Sequence, residues 1–369
     1  MKTWIEVSAA ALQNNLTIFR GICKPSKVTP VLKANAYGHG YEQTLTALEP
    51  LQPWMIAINY PEEAKKIREL GYCGRLLVVG PTNIDDLQLI YELEAEFFLN
   101  SKQMLNAWSK SSKQPHFHIK VDTGMNRQGF SVEDLENCKP DILKNKIKIK
   151  GLASHFANVE DVLEHSFAKS QLNKFQAARG MLGKQHEAHI ASSASALLLP
   201  ESRFDFCRVG IGLYGLWPSQ PTKLSTYKVL KNLPQLIPAL SWKTRIAQVK
   251  TVNTGESIGY GCTFKTTNPT KIAILPLGYH EGYPRLAGEK HAYVSIKGRR
   301  AYIVGRVCMN MMMVNITDIE NAKVGDIVTL IGKDHSEVIS ADAIAEWSAT
   351  INYEVLSRIP ATVTRKTVP

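Results

Sequence analysis

Apolar residues along the first two hundred positions come in short runs, separated by amphipathic stretches of helical period. The runs cover 29–32, 54–58, 75–79, 96–99, 116–121, 147–153, 188–191 and 206–209. Each is too short for an ordinary helix and largely apolar, as expected of a strand buried on both faces. The stretches between carry helix punctuation. Ser8 is placed to cap a helix whose buried stripe is Leu12, Leu16 and Phe19, and Pro61 and Gly71 bracket another. Strands alternating with helices in this way predict an α/β fold that opens with a (β/α)8 barrel.

Beyond about residue 238 the texture changes. Closely spaced strands at 244–252, 271–276, 291–296, 301–307, 311–316 and 326–330 are divided by Gly, Asn and Asp, with one helix near 340–347. This predicts a mostly antiparallel β-strand C-terminal domain. The stretch 216–238, with Pro218, Pro221, Pro234 and Pro238, reads as the linker. The barrel domain is therefore expected over 1–232 and the β domain over 233–369, with an opening strand at 1–7 free to pack with the second.

In such a barrel, functional side chains gather where strands end and loops begin. Lys33 follows the first run, Lys120 and Arg127 the fifth, His155 the sixth, Ser192 and Ser193 the seventh and Arg208 the eighth. After Arg208 comes Gly210-Ile211-Gly212, whose backbone amides are suited to cradle a phosphate. A lysine at a strand mouth is partly desolvated, which depresses its pKa and makes its amine a nucleophile toward carbonyl compounds. These groups together describe a cationic, phosphate-ready mouth with a nucleophilic lysine on its rim. That combination suits pyridoxal 5'-phosphate, held by a Schiff base at one end and by its phosphate at the other.

Bulk properties narrow the field. The apolar fraction of 44% and charged fraction of 21% are those of an ordinary globular chain. A net charge of +11 would permit nucleic-acid contact. The basic residues are scattered, however, and no recognition motif accompanies them. The densest group, Lys144, Lys146, Lys148 and Lys150, alternates with other residues as a strand with one solvated face would. The six cysteines form no C-x-x-C pair, so neither a zinc site nor any other metal site is expected. No stretch has the apolar length of a signal peptide or membrane span, which makes a cytoplasmic protein the expectation.

The stretch Lys33-Ala34-Asn35-Ala36-Tyr37-Gly38-His39-Gly40 resembles the cofactor-lysine motif of alanine racemases, the fold-type III pyridoxal-phosphate family. The resemblance continues through 120–129, 154–157, 208–215, 257–261, 278–285, 305–309 and 351–358. It implies that Lys33 binds the cofactor covalently and acts as one catalytic base. Tyr260 would be the other, reaching the cofactor from the partner subunit of a homodimer with composite sites. Arg208 would contact the pyridine nitrogen, and His155 would pass positive potential toward the phenol. Tyr37, Ser193, Gly210, Ile211 and Tyr353 would hold the phosphate. Arg127 and Met309 would bind substrate, Lys120 would be carbamylated to position Arg127, and Glu160, Tyr279, Arg285 and Arg306 would form the entrance corridor.

The implied activity is interconversion of L- and D-alanine, supplying D-alanine for peptidoglycan. Three features depart from the family's pattern: His280-Glu281 stands where Ala-Asp is usual, Asn310 replaces an Asp after Met309, and Ser192 stands where Asn is common. Three other readings stay open at this level: a racemase of serine or a broader amino-acid set, a single-domain cofactor carrier, and a decarboxylase of the same architecture. The strands carrying Tyr260, Met309 and Tyr353 count against a carrier. Arg208, at a position where such decarboxylases present an acid, counts against the last.

Overall fold

A computed structural model describes residues 2–144, 147–160 and 163–369. The chain divides into two compact units. One comprises Ala10–Ala36 and Leu48–Ile237; the other comprises the segment ending at Ala9, Tyr37–Ala47 and Pro238–Pro369.

The first unit is the barrel. Its strands are β2 (Lys27–Pro30), β3 (Met55–Ile58), β4 (Arg75–Val78), β5 (Ala95–Leu99), β6 (Phe117–Lys120), β7 (Gly151–Ala153), β8 (Glu187–His189) and β9 (Phe206–Val209), with β1 (Thr3–Ser8) belonging to the other unit. Strands β3 to β8 pair in sequence order, and β2 pairs β9, all in parallel. Two seams close the ring. The Val31↔Ala57 bridge joins β2 to β3, and the Arg208 amide donates to the Ala191 carbonyl at 2.9 Å.

Every residue of β3, β5, β6 and β9 is buried, since side chains on one face fill the barrel and those on the other lie under helices. The helix Ala9–Cys23 buries Leu12, Leu16 and Phe19 as their spacing predicts. Its one buried amide, Asn15, is satisfied by the Leu213 and Ile237 carbonyls and the Ile237 amide.

The second unit is built on a seven-stranded sheet in which β1 lies between β10 (Leu240–Arg245), antiparallel, and the final strand, parallel. Next come β11 (Gln248–Val252), β12 (Ser257–Ile258), β13 (Phe264–Lys265), β14 (Thr270–Leu275), β15 (Tyr293–Ile296), β16 (Arg299–Tyr302), β17 (Met312–Asn315), β18 (Ile327–Asp334), β19 (Glu337–Ile339) and β20 (Thr364–Val368). A three-stranded antiparallel sheet, β11-β14-β17, packs over Val252, Ile258, Ile272 and Val304. Among the described residues no helix is long and apolar enough to cross a membrane.

Four expectations are corrected. The proline-bearing stretch 216–238 contains a helix, Gln220–Leu230, capped by the Ser219 hydroxyl with Pro221 in its first turn, where a missing N–H costs nothing. The run 244–252 is two strands that part at Ile246 and Ala247, whose amides bond to Asp326 and Ile274 on different neighbours. The alternating lysines do not form a strand: Lys144 ends the helix Val132–Lys144, Lys146 lies outside the described residues, and β7 starts only at Gly151. Finally, the stretch after Lys33 is no open loop. Ala34, Asn35, Ala36 and Tyr37 have φ of 54°, 53°, 54° and 52°, a left-handed helical turn.

Candidate active site

The left-handed turn follows directly on Lys33, at the mouth of β2. Four consecutive non-glycine residues in that conformation cost about 1–2 kcal/mol each, strain of the kind that persists at functional sites. Contacts within the barrel unit hold its start. The Ala36 amide bonds the Leu32 carbonyl at 2.8 Å, and Glu63 accepts the Ala34 and Asn59 amides at 2.8 and 2.6 Å. The Tyr214 hydroxyl donates to the Val31 carbonyl at 2.9 Å, pinning the end of β2.

Lys33, Lys120, Arg127 and Arg208 act on one another across the mouth. Burial, then Arg127 and Arg208, pull the Lys33 amine below its usual range, against the pull of Glu63. Lys120 is brought down to about 7 by burial first and then by Arg208 and Arg127, with Asp122 opposing. Its amine donates to the Val121 carbonyl at 3.0 Å. His155 is held neutral by burial and the same four cations. The carboxylates beside this cluster are already engaged: Glu63 as described, and Asp122 by the amides of Gly124, Met125, Asn126 and Arg127 at 2.9–3.1 Å. The mouth therefore carries a surplus of positive charge that suits a small polyanion.

Arg208 is 7% exposed, and burial lowers its pKa to about 10. Its two terminal nitrogens donate to the Ser154, His189 and Ile190 carbonyls and to Nδ1 of His155 and His189. Its Nε–H has no partner among the described residues, leaving one donor for a ligand. One turn further on, the amides of Gly210 and Gly212 converge on the Ser193 hydroxyl oxygen at 3.1 and 3.3 Å, with Ile211 between them. The barrel unit thus gathers Lys33, Lys120, Arg127, His155, Ser193, Arg208, Gly210 and Ile211.

The β unit carries the rest, apart from Glu160, whose carbonyl in the barrel unit accepts from Ser219 and Thr222. Tyr37 and Tyr353 lie ring to ring at 6.2 Å. Tyr260 is 71% exposed on a tight turn between Gly259 and Gly261, both at positive φ. The φ of 73° at Gly261 is a conformation that favours glycine, and a Cβ there would come close to the flexible end of Arg306. Met309 is 55% exposed, and its carbonyl accepts from the His280 amide. Tyr279 bonds Cys308 through its amide, and Arg306 pairs with Glu289 at 3.4 Å in the turn that Arg285 begins.

Two of the departures from pattern meet. Asn310 donates to Glu281 Oε1 at 2.7 Å, while Glu281 Oε2 accepts the Gly278 amide at 2.7 Å. Position 281 thus stays acidic, and the amide at 310 gives its carboxylate a neutral donor in place of a second carboxylate. Asn310→Asp should set two carboxylates against each other and lower Tm by about 1–2 °C, and adding Glu281→Gln should restore it. Thermal unfolding of the wild type and the two variants reads this, and an unchanged Tm for Asn310→Asp would contradict it.

Sequence reasoning overlooked Asp122, Glu63, Glu96, His118 and His189. The first had a signal, since Asp122-Thr123-Gly124 is a turn-forming triplet. His118 also had one, two residues before Lys120 on one strand and hence on the same face.

Comparison with known proteins agrees with this arrangement. Residues 7–218 match the model for the alanine racemase N-terminal domain, and residues 239–367 match that for the C-terminal domain. The chain is 40% identical over 370 residues to an alanine racemase of Leptospira interrogans, covering 98% of this chain and 95% of that one. It is 34% identical over 372 residues to one from Carboxydothermus hydrogenoformans, with 98% of each covered. The structure is similar to that of alanine racemase from Bacillus anthracis with bound L-Ala-P, at a TM-score of 0.91 and 30% identity, covering 100% of this chain and 95% of the other. With both domains matched and relatives aligned nearly end to end, the chain belongs to the alanine racemase family.

Proposed function

We propose that this chain interconverts L- and D-alanine with pyridoxal 5'-phosphate as cofactor, in a homodimer whose sites each draw on two subunits. The observation that carries the reading is the depressed Lys33 amine among Arg127, Arg208 and a surplus of positive charge. The donor set fits the cofactor. A nucleophilic amine suits its aldehyde, the open Nε–H of Arg208 suits its ring nitrogen, and the Ser193 O–H, oriented by the amides of Gly210 and Gly212, suits its phosphate together with the Ile211 amide, where Tyr37 and Tyr353 are proposed to add phenols. When bound, pyridoxal phosphate takes up the substrate's amino group and spreads the charge left when the α-proton departs.

The remaining chemistry belongs to side chains. Lys33 Nζ, whose charged form is disfavoured by burial and by Arg127 and Arg208, takes or returns the α-proton on one face. The Tyr260 phenol of a second copy does so on the other, so that inversion needs no turning of the substrate. An exposed tyrosine on a rigid turn is suited to serving a neighbouring subunit. Arg208 is a donor with no acceptor capacity, so it keeps the ring nitrogen unprotonated. Held in that way, the site would favour proton removal by one base coupled to delivery by the other over side reactions. His155 accepts from Arg208 at Nδ1, which leaves its Nε2–H to face the phenol. Arg127 and Met309 bind the substrate carboxylate side, and Glu160, Tyr279, Arg285 and Arg306 select what enters. The D-alanine formed would serve peptidoglycan. With its cysteines free, the chain suits the reducing cytoplasm.

Lys120 is proposed to be carbamylated. Its neutral Nζ adds to the carbon of carbon dioxide and releases a proton, so a cation beside Arg127 becomes an anion that positions it. The bare amine has a signature of its own. Its folded pKa of about 7 lies below the ordinary 10.5, so the unfolded chain holds more protons between those values and stability rises with pH across that window. In carbon-dioxide-free buffer, urea unfolding should show a rise on the order of a few kcal/mol. Bicarbonate or Lys120→Met should remove it. A slope indifferent to both would exclude carbamylation here.

The activity itself is tested by incubating the pure protein separately with L-alanine, L-serine and L-lysine. D-alanine is the expected product, whereas carbon dioxide from lysine, or no product at all, would overturn the reading.

A further inference from the structure

Behind Arg208 a chain of buried polar groups crosses the barrel interior. His189 Nδ1 accepts from Arg208 Nη1, His189 Nε2 lies 3.0 Å from His118 Nδ1, and His118 Nε2 lies 2.7 Å from Glu96 Oε2. Beyond it, Arg75 binds both Glu96 oxygens, at 2.6 and 2.9 Å, and both Glu187 oxygens, at 3.0 and 2.8 Å. The groups sit on β4, β5, β6, β8 and β9, and both histidines are fully buried.

Proton positions along this chain follow from its two ends. A guanidinium can only donate, so His189 Nδ1 must present a lone pair, and its proton sits on Nε2. That proton points at His118 Nδ1, which must accept, so the His118 proton also sits on Nε2 and points at Glu96. The far end agrees. Burial alone would raise the Glu96 carboxyl, yet bonds from His118 and Arg75 hold it at about 2, so it is an acceptor at any working pH. Were His118 to carry a second proton, His189 would have to accept at Nε2, and its Nδ1–H would then confront Arg208 donor to donor.

Packing leaves the rings little freedom to escape this order. Phe206 stacks on His189 at 4.0 Å between centroids with a 20° tilt. On β7, between the two histidine strands, stands Gly151, where a Cβ would lie 2.2 Å from His118 Nδ1. A side chain there would fill the space in which the rings meet.

We propose that Glu96 is a positioning residue for Arg208, acting through the matched Nε2–H tautomers of His118 and His189. It touches neither substrate nor cofactor. Its carboxylate orders a relay of acceptors that ends in a lone pair aimed at Arg208 Nη1, which fixes the guanidinium plane and thereby the direction of its one uncommitted donor. The assignment rests on the proposed role of Arg208 for its catalytic consequence, but the tautomers are independent of that role.

Two measurements test it. Neutron diffraction from deuterium-exchanged crystals of the enzyme as purified should place deuterium on Nε2 and none on Nδ1 of both histidines. Deuterium on Nδ1 of either would overturn the proposal even if Glu96→Gln failed to fold. In Glu96→Gln the amide turns a donor toward either His118 or Arg75, and the carboxylate charge that anchors the order is lost. The variant should keep KM within about twofold and lose roughly tenfold or more in kcat, with a changed absorbance spectrum of the bound cofactor. A variant that lost only thermal stability, with kcat and spectrum intact, would mark Glu96 as merely structural and overturn the idea. Wild-type enzyme lacking racemisation would instead refute the proposed function and leave the proton positions standing.

Discussion

Replacing Lys33 with alanine is expected to abolish racemisation by more than about 10⁴-fold, because one side chain serves two roles. Its amine is the group suited to attach the cofactor, and the same atom is the base on one face. Purified Lys33→Ala should stay colourless after reconstitution and dialysis, where the wild type turns yellow. Fold should survive, since burial and the neighbouring cations make the Lys33 charge unfavourable and its loss leaves no acid stranded. Added methylamine should restore a small fraction of the rate without covalent attachment. A coloured and active Lys33→Ala would move the centre of the chemistry elsewhere.

Tyr260→Phe should keep the colour and lose roughly 10²–10⁴ in rate, more in one direction than in the other, since each direction takes the α-proton with a different base. Polarimetry started from each enantiomer reads the asymmetry. Subunit mixing sharpens the test. A heterodimer of Lys33→Ala and Tyr260→Phe chains holds one intact site, lysine from one subunit and phenol from the other, and one site with neither. Random exchange of equal amounts should therefore recover about a quarter of wild-type activity. If both bases of a site came from one chain, no mixture would recover any. The exposure of Tyr260, 71% on a turn held by two positive-φ glycines, supports the first outcome.

Particular residues show how much of this was legible beforehand. Runs of apolar residues marked each barrel strand because a parallel strand is buried on both faces and cannot alternate. The residues at or just after the ends of those runs then fell at the mouth, which brought Lys33, Arg127, His155 and Arg208 forward as candidates. Proline misled in the stretch 216–238, since Pro221 begins a helix as readily as it ends one. The left-handed turn after Lys33 was invisible, because Ala34, Ala36 and Tyr37 disfavour that conformation and Asn35 adopts it ordinarily only as a single residue.

What the linear pattern determined was what repeats locally: strand count, helix faces, the punctuation of caps, and the chemical types waiting at strand ends. Only the closed barrel could decide that Glu96, His118, His189 and Arg208, spread over 113 positions of chain (96 to 208), form one ordered line of protons. Likewise it took the folded β unit to place Glu281 against Asn310, so that two apparent departures form one hydrogen-bonded pair. Periodicity records which way a side chain faces, but not which side chain it meets. Hydrogen bonds act over about 3 Å, a distance that the tertiary path sets and sequence separation does not.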